Sequence, residues 1–287
     1  MKVKTYLINL KDSTERRERA MEEISRYPFM DIEWVEAVNG KELTEEETAR
    51  LFNRKKFCSR YHREPLPGEI GCTLSHKECY RRLLCSENEY ALILEDDVCF
   101  LSPEDVEYVF KRVIGLLPLE EECIITFTRH MIYYPKNSSR IGTYTLYRLW
   151  SAYGTCAYLV NKQAARRLLS IERPFLVADD FEYMAKHGIL VQGIYPSLAL
   201  DASTMRLISS EIIEEDSSTI IWRRKPTFWE YLKGKYRVLK FWLGLLAKQE
   251  VERGQPTTKE YLKGKYRGGL FRLGILAKRE IENGQYV

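Results

Sequence analysis

Residues 91–94, Ala-Leu-Ile-Leu, are apolar at every position, and three carboxylates, Glu95, Asp96 and Asp97, follow without a break. An apolar run on both alternating faces predicts a strand buried within a parallel sheet. The same reasoning predicts a first strand over 3–9, a helix from Ser13 or Thr14 to about Arg26, a second strand over 31–38 ending at Asn39-Gly40, and a short helix over 44–52 opened by Thr44 with Glu47 three residues on. Residues 55–67 are basic and aromatic with two prolines near the end, which predicts a loop able to close over a substrate. A longer helix starts at Pro67, with Ile70, Leu74, Tyr80 and Leu84 at helical intervals. Further strands are expected at 123–127 and 191–196, a pair of strands over 144–158 broken near Trp150-Ser151, and a helix over 161–170. β, α, β order at the start of the chain predicts an α/β fold with a mixed, mostly parallel central sheet.

The carboxyl ends of such strands are where open α/β sheets bind ligands, and Glu95, Asp96 and Asp97 stand at one of them. Adjacent acids repel unless a cation or hydrogen-bond donors offset them, which points to a hard divalent ion, Mn²⁺ or Mg²⁺. A helix cap is the plainer use, but Ser102-Pro103-Glu104-Asp105 already supplies one. Strand alternation puts Glu95 and Asp97 on one face and Asp96 on the other, favouring Asp97 as ligand. Asn9 and Leu10, at the end of the first strand, are candidates for a base or ribose, and Arg16 and Arg17 for phosphate. A solvated helix face accounts for either arginine equally well.

Gly68, Gly71, Ser75 and His76 form a candidate donor-side wall, because glycines in a first helical turn are costly unless something approaches the backbone closely. Trp150, Tyr153, Gly154 and Thr155 combine aromatic faces with small polar groups, as sugar sites do, although Trp150 and Tyr153 equally suit a core. Asp179 and Asp180 follow another apolar run. Either can serve as a general base, with Asp180 placed first, or as a helix cap, Asp179 and Glu182 having capping-box spacing. Asp201 is a further candidate for the same wall.

Four motifs in order carry a resemblance: Tyr6-Leu-Ile-Asn-Leu-Lys with Glu15-Arg-Arg; Gly68-Glu-Ile-Gly-Cys-Thr-Leu-Ser-His; Leu92-Ile-Leu-Glu-Asp-Asp-Val; and Gly154-Thr-Cys-Ala-Tyr-Leu-Val-Asn followed by Ala178-Asp-Asp. Over about residues 1–201 the chain resembles glycosyltransferase family 25, the bacterial lipooligosaccharide galactosyltransferases. The resemblance implies a GT-A-like nucleotide-binding fold and a nucleotide-sugar donor, usually UDP-galactose. It further implies inversion at the anomeric carbon, a lipid-linked oligosaccharide acceptor, and metal bound with the donor diphosphate at Glu95, Asp96 and Asp97. Two rivals stand beside it: a non-catalytic adaptor working through the tail, and a metal-dependent phosphotransferase or nuclease built on the same acids.

Composition adds compartment and tail. The seven cysteines are an odd number without zinc-type pairs, which predicts reduced thiols. The amino terminus is too polar for a signal peptide and no run reaches transmembrane length, so a cytoplasmic protein is expected. Of a net +4, residues 225–287 carry +8 and residues 1–224 carry −4, dividing the chain into a catalytic domain (1–224) and a basic helical tail (225–287). Glu230 to Arg237 recurs identically as Glu260 to Arg267, a thirty-residue period. In the first copy Phe228, Leu232, Tyr236, Leu239, Leu243 and Leu246 share one helical face, and Lys233, Arg237, Lys240 and Lys248 another. A basic amphipathic helix of this kind suits peripheral contact with an anionic inner-membrane surface, packing on the catalytic body, or subunit pairing. Nucleic acid is not expected, since no recognition module accompanies the charge.

Overall fold

The computed structural model describes residues 2–202 and 228–248. In chain order the elements are β1 (Val3–Asn9), α1 (Thr14–Ile24), β2 (Met30–Glu36), α2 (Glu45–Leu51), α3 (Arg54–Tyr61), α4 (Pro67–Cys85), β3 (Tyr90–Glu95), β4 (Val98–Phe100), α5 (Pro103–Leu116) and β5 (Cys123–Thr126). Then follow β6 (His130–Ile141), β7 (Tyr144–Tyr153), β8 (Ala157–Asn161), α6 (Lys162–Leu169), α7 (Phe181–Lys186), β9 (Leu190–Tyr195), β10 (Ala199–Asp201), α8 (Phe228–Trp242) and β11 (Ala247–Lys248).

Nine strands form one sheet in the order β11-β6-β7-β9-β5-β8-β3-β1-β2, and β4 and β10 form a separate two-stranded ribbon. The sheet is mixed, as expected: β1 pairs in parallel with β2 and β3, and β5 with β9, while β8 inserts antiparallel between β3 and β5. Six of the nine strands point the same way, though most neighbouring pairs are antiparallel.

Period-two alternation explains why the central strands are apolar throughout. Leu7, Leu92 and Leu94 pack with Ala20 and Ile24 of α1 and with Val106, Val109, Phe110 and Val113 of α5 on one face. Tyr6, Ile8, Ala91 and Ile93 pack with Cys79 and Leu83 of α4, Ala164 and Ala165 of α6, and Met184 of α7 on the other. The result is three layers, with the ends of β1 and β3 side by side.

Two expectations are corrected. Residues 55–67 are not all loop: Asn53 caps α3 by accepting from the Lys56 amide (3.1 Å), and the helix ends at His62 in a left-handed conformation. β7 runs unbroken through Trp150-Ser151 and pairs with β6, a strand that the hydrophobic pattern does not reveal because Pro135 and register shifts between 132 and 138 interrupt its alternation. The tight link is Gly142-Thr143, with Gly142 at φ +58°. Of the tail, α8 and β11 are described, and the second copy of the repeat lies outside the described residues.

Candidate active site

β3 stops at Glu95 and the chain turns through Asp96 and Asp97 into β4, so the three acids face different partners. Asp96 is saturated. It accepts from Asn9 Nδ2 (2.7 Å) and from Arg16 Nε (2.9 Å), with the Arg16 terminal nitrogen also on the same carboxylate. Arg17 in turn donates to Asn9 Oδ1 (3.0 Å) and stacks over Trp34 at 5.2 Å. Asn9, Arg16 and Arg17 are therefore joined to the acid turn, as a scaffold that sets its position. Leu10 is half-buried next to Asn9, and its carbonyl accepts from the Ser13 amide.

Glu95 accepts from Thr155 Oγ1 and lies 2.9 Å from His76 Nε2, whose other ring nitrogen is 2.8 Å from the Tyr158 hydroxyl. Burial pushes the Glu95 carboxyl up, but the His76 and Thr155 contacts outweigh it and the net direction is down.

Asp97 is the exception. It is 6% exposed, and its Oδ1 has no hydrogen-bond partner. Burial, then the Glu95 charge, then Asp96 and Asp201 push its carboxyl up to about 7, with Arg16, 3.7 Å away, pulling the other way. Asp201 arrives through the β4–β10 ribbon, opposite Val98, and the Ala202 amide donates to the Asp97 carbonyl (2.8 Å). An unmatched buried carboxylate oxygen among like charges fits a hard divalent cation. Asp97, with Asp201 at hand, is the residue that would hold it, and Asp96 is not free to.

The second acid pair divides in the same way. Asp180 caps α7 by accepting from the Tyr183 amide (2.9 Å), and its other oxygen takes Arg60 Nε (2.6 Å) and the Tyr61 hydroxyl. The cap thus lies one residue later than the Asp179–Glu182 spacing predicts. Asp179 accepts from the Gly154 amide (2.9 Å), Gly154 standing at φ +88°. Burial, opposed by that hydrogen bond and reinforced by Glu95, raises the Asp179 carboxyl. Arg60 and Tyr61 are the residues that sequence reasoning missed, since α3 was expected as loop.

Gly71 and Ser75 serve packing. A Cβ on Gly71 would lie 2.3 Å from the Val38 carbonyl, and Ser75 Oγ receives the Val38 amide (2.8 Å) while donating to Gly71 O. The close approach expected there is to residues 38–40, and half-buried Gly68 opens the same helix. Trp150 lies under Lys240 of α8 (4.2 Å) and Lys186 of α7 (5.3 Å), while Tyr153 is 55% exposed beside Asp179. Gly154 and Thr155 are thus brought to the acids, and Trp150 is covered by the tail helix. All seven cysteines are free thiols.

A three-layer fold that gathers Glu95, Asp97, Asp179 and Asp201 around the ends of two parallel strands has its acids where open α/β sheets bind ligands. Residues 2–182 match the sequence profile of glycosyltransferase family 25 (LPS biosynthesis protein), and the chain belongs to that family. A glycosyltransferase 25 family member of Aedes aegypti is 29% identical over 177 residues, 59% of this chain and 28% of that protein. Procollagen galactosyltransferase 1-B of Xenopus laevis is 30% identical over 178 residues, 58% of this chain and 28% of that protein. The chain therefore spans a little over a quarter of the length of these curated relatives. Among solved structures, a glycosyltransferase involved in the glycosylation of the major capsid of PBCV-1 overlaps 60% of this chain and 65% of its own, at 14% identity and a TM-score of 0.29.

Proposed function

We propose that this glycosyltransferase moves galactose from UDP-galactose, with inversion, onto a terminal sugar of a lipid-linked oligosaccharide of the lipooligosaccharide type. The observation that carries the reading is the unmatched, buried Oδ1 of Asp97 beside Asp201 and Glu95. Asp97 and Asp201 would hold Mn²⁺ or Mg²⁺, which when bound supplies positive charge to offset the leaving diphosphate. Asn9 and Arg16 fix the acid turn. Galactose as the sugar is supported by the relatives named as galactosyltransferases.

Asp179 is the base in this reading, in place of Asp180. Both Asp180 oxygens already receive donors, whereas Asp179 has one named amide donor and a raised carboxyl, nearer the working range of a proton acceptor. Tyr153, exposed beside it, offers a flat face to an acceptor sugar.

The tail is assigned to an anionic membrane surface. Tyr236, Leu239, Leu243 and Leu245 are exposed on α8 and the turn after it, among Lys235, Arg237 and Lys240. Isothermal titration of UDP with and without Mn²⁺, joined to a donor screen with mass-spectrometric product detection, tests the whole reading. Mn²⁺-dependent UDP binding and hexose transfer from UDP-galactose are expected. Normal turnover in Asp97→Asn contradicts the metal assignment, and UDP hydrolysis without any acceptor product favours a phosphotransferase.

A further inference from the structure

We propose that Cys72, His76 and Glu95 form a second cation site, one that takes a borderline-soft divalent ion of the Zn²⁺ type and is separate from the oxygen ligands around Asp97. One ligand atom from each residue lies within 4.8 Å of the other two. Cys72 and His76 are four residues apart on α4 and so share a face of it, and Glu95 meets them from the end of β3. Ligands on a long helix and a central strand are held by the core.

Tetrahedral zinc bonds of about 2.0–2.3 Å set ligand atoms roughly 3.5 Å apart, so side-chain movements of about 1 Å complete the geometry. The donor set decides the metal. A thiolate and an imidazole select Zn²⁺, whereas Mn²⁺ and Mg²⁺ favour oxygen, as at Asp97. Cys72 is half-buried as a residue.

The surroundings are those of a built ligand set. His76 Nδ1 is 2.8 Å from the Tyr158 hydroxyl, which is 2.9 Å from the Tyr80 hydroxyl, and in that tyrosine pair either oxygen can be the donor. With no ion, the tautomer that suits an ionised Glu95 carries its proton on Nε2, 2.9 Å from the carboxylate. When Nε2 binds the ion, its proton moves to Nδ1 and the two hydroxyls reverse to accept it, so the Tyr158–Tyr80 pair supports the histidine in both states. Thr155 donates to Glu95 and fixes the carboxylate. Binding forms metal bonds to sulfur, nitrogen and oxygen, and the thiol proton leaves to solvent. Two negative ligands then offset the ion's charge, and a fourth position stays open.

Co²⁺ titration of the full chain tests the site by spectroscopy. One equivalent is expected to give a thiolate-to-Co²⁺ band in the near ultraviolet, which Cys72→Ser abolishes, His76→Gln weakens at least about tenfold in affinity, and Cys156→Ser leaves intact. Zn²⁺ is expected to protect Cys72 from alkylation in the wild-type chain, read by peptide mass spectrometry. Absence of the band from the wild type, its survival in Cys72→Ser, or equal alkylation of Cys72 with and without Zn²⁺ overturns the proposal. Because UDP binding is measured separately, failure here and failure of the galactosyltransferase reading are distinguishable.

Discussion

Asp97 and Asp180 are both buried carboxylates, yet Asp180 receives three hydrogen bonds while Asp97 keeps an oxygen unmatched. The difference predicts opposite responses to mutation. Because the folded Asp97 carboxyl is raised to about 7 from 3.8, the folded state favours the proton, and stability is lost as pH rises from about 4 through about 7. Asp97→Asn removes that penalty. Its melting temperature should exceed that of the wild type by at least about 3 °C at pH 8 without metal and converge with it near pH 4, as thermal scans across pH would show. Added Mn²⁺ should raise the wild-type midpoint and leave the variant where it is. For Asp179→Asn, kcat should fall by about 10²–10⁴-fold with the donor dissociation constant unchanged. Loss of donor binding with turnover intact at saturation would remove Asp179 from the base role.

At the scale of elements, the Asp180 carboxylate ties α3 to the start of α7, with Arg60 over the Tyr183 ring at 4.6 Å. Asp180→Ala should therefore cost about 1–3 kcal/mol in urea unfolding, because half-buried donors on two helices lose their acceptor. Gly40 meets α4 still more tightly: a Cβ there would lie 1.7 Å from the Pro67 carbonyl, so Gly40→Ala should cost about 1–3 kcal/mol. What was legible in the chain follows from these contacts. β1 and β3 and the acids after β3 were readable because burial on both sheet faces leaves an uninterrupted apolar run. α3 was not, since it buries only Phe57 and takes its stability from the Asn53 cap and from Asp180, 120 residues away. β6 was hidden by Pro135 and its bulges. Alternation separates Asp96 from Glu95 and Asp97, but the contacts that occupy Asp96, from Asn9 and Arg16, are a tertiary fact that no local pattern carries.

Over the whole molecule, α8 turns Lys240 toward Trp150, and Tyr236 and Leu239 on the helix with Leu243 just after it stand in solvent. Among the described residues no helix is long and apolar enough to cross a bilayer. Surface attachment through this stripe predicts that sedimentation with vesicles rich in anionic lipid falls at least about fivefold for Leu239→Glu with Leu243→Glu, and weakens with salt. Equal sedimentation of the variant would move the stripe's role to protein contact.

The β4–β10 ribbon has a practical consequence for anyone trimming this chain. The family-profile match ends at residue 182, but among the described residues β9 is the strand that joins β5 to β7, and the Asp97 turn is laced by Asp201 and Ala202. A fragment cut at residue 182 would split the sheet and unlace the acids. The smallest working piece extends past Ala202, its last twenty residues serving as the clasp that closes the site.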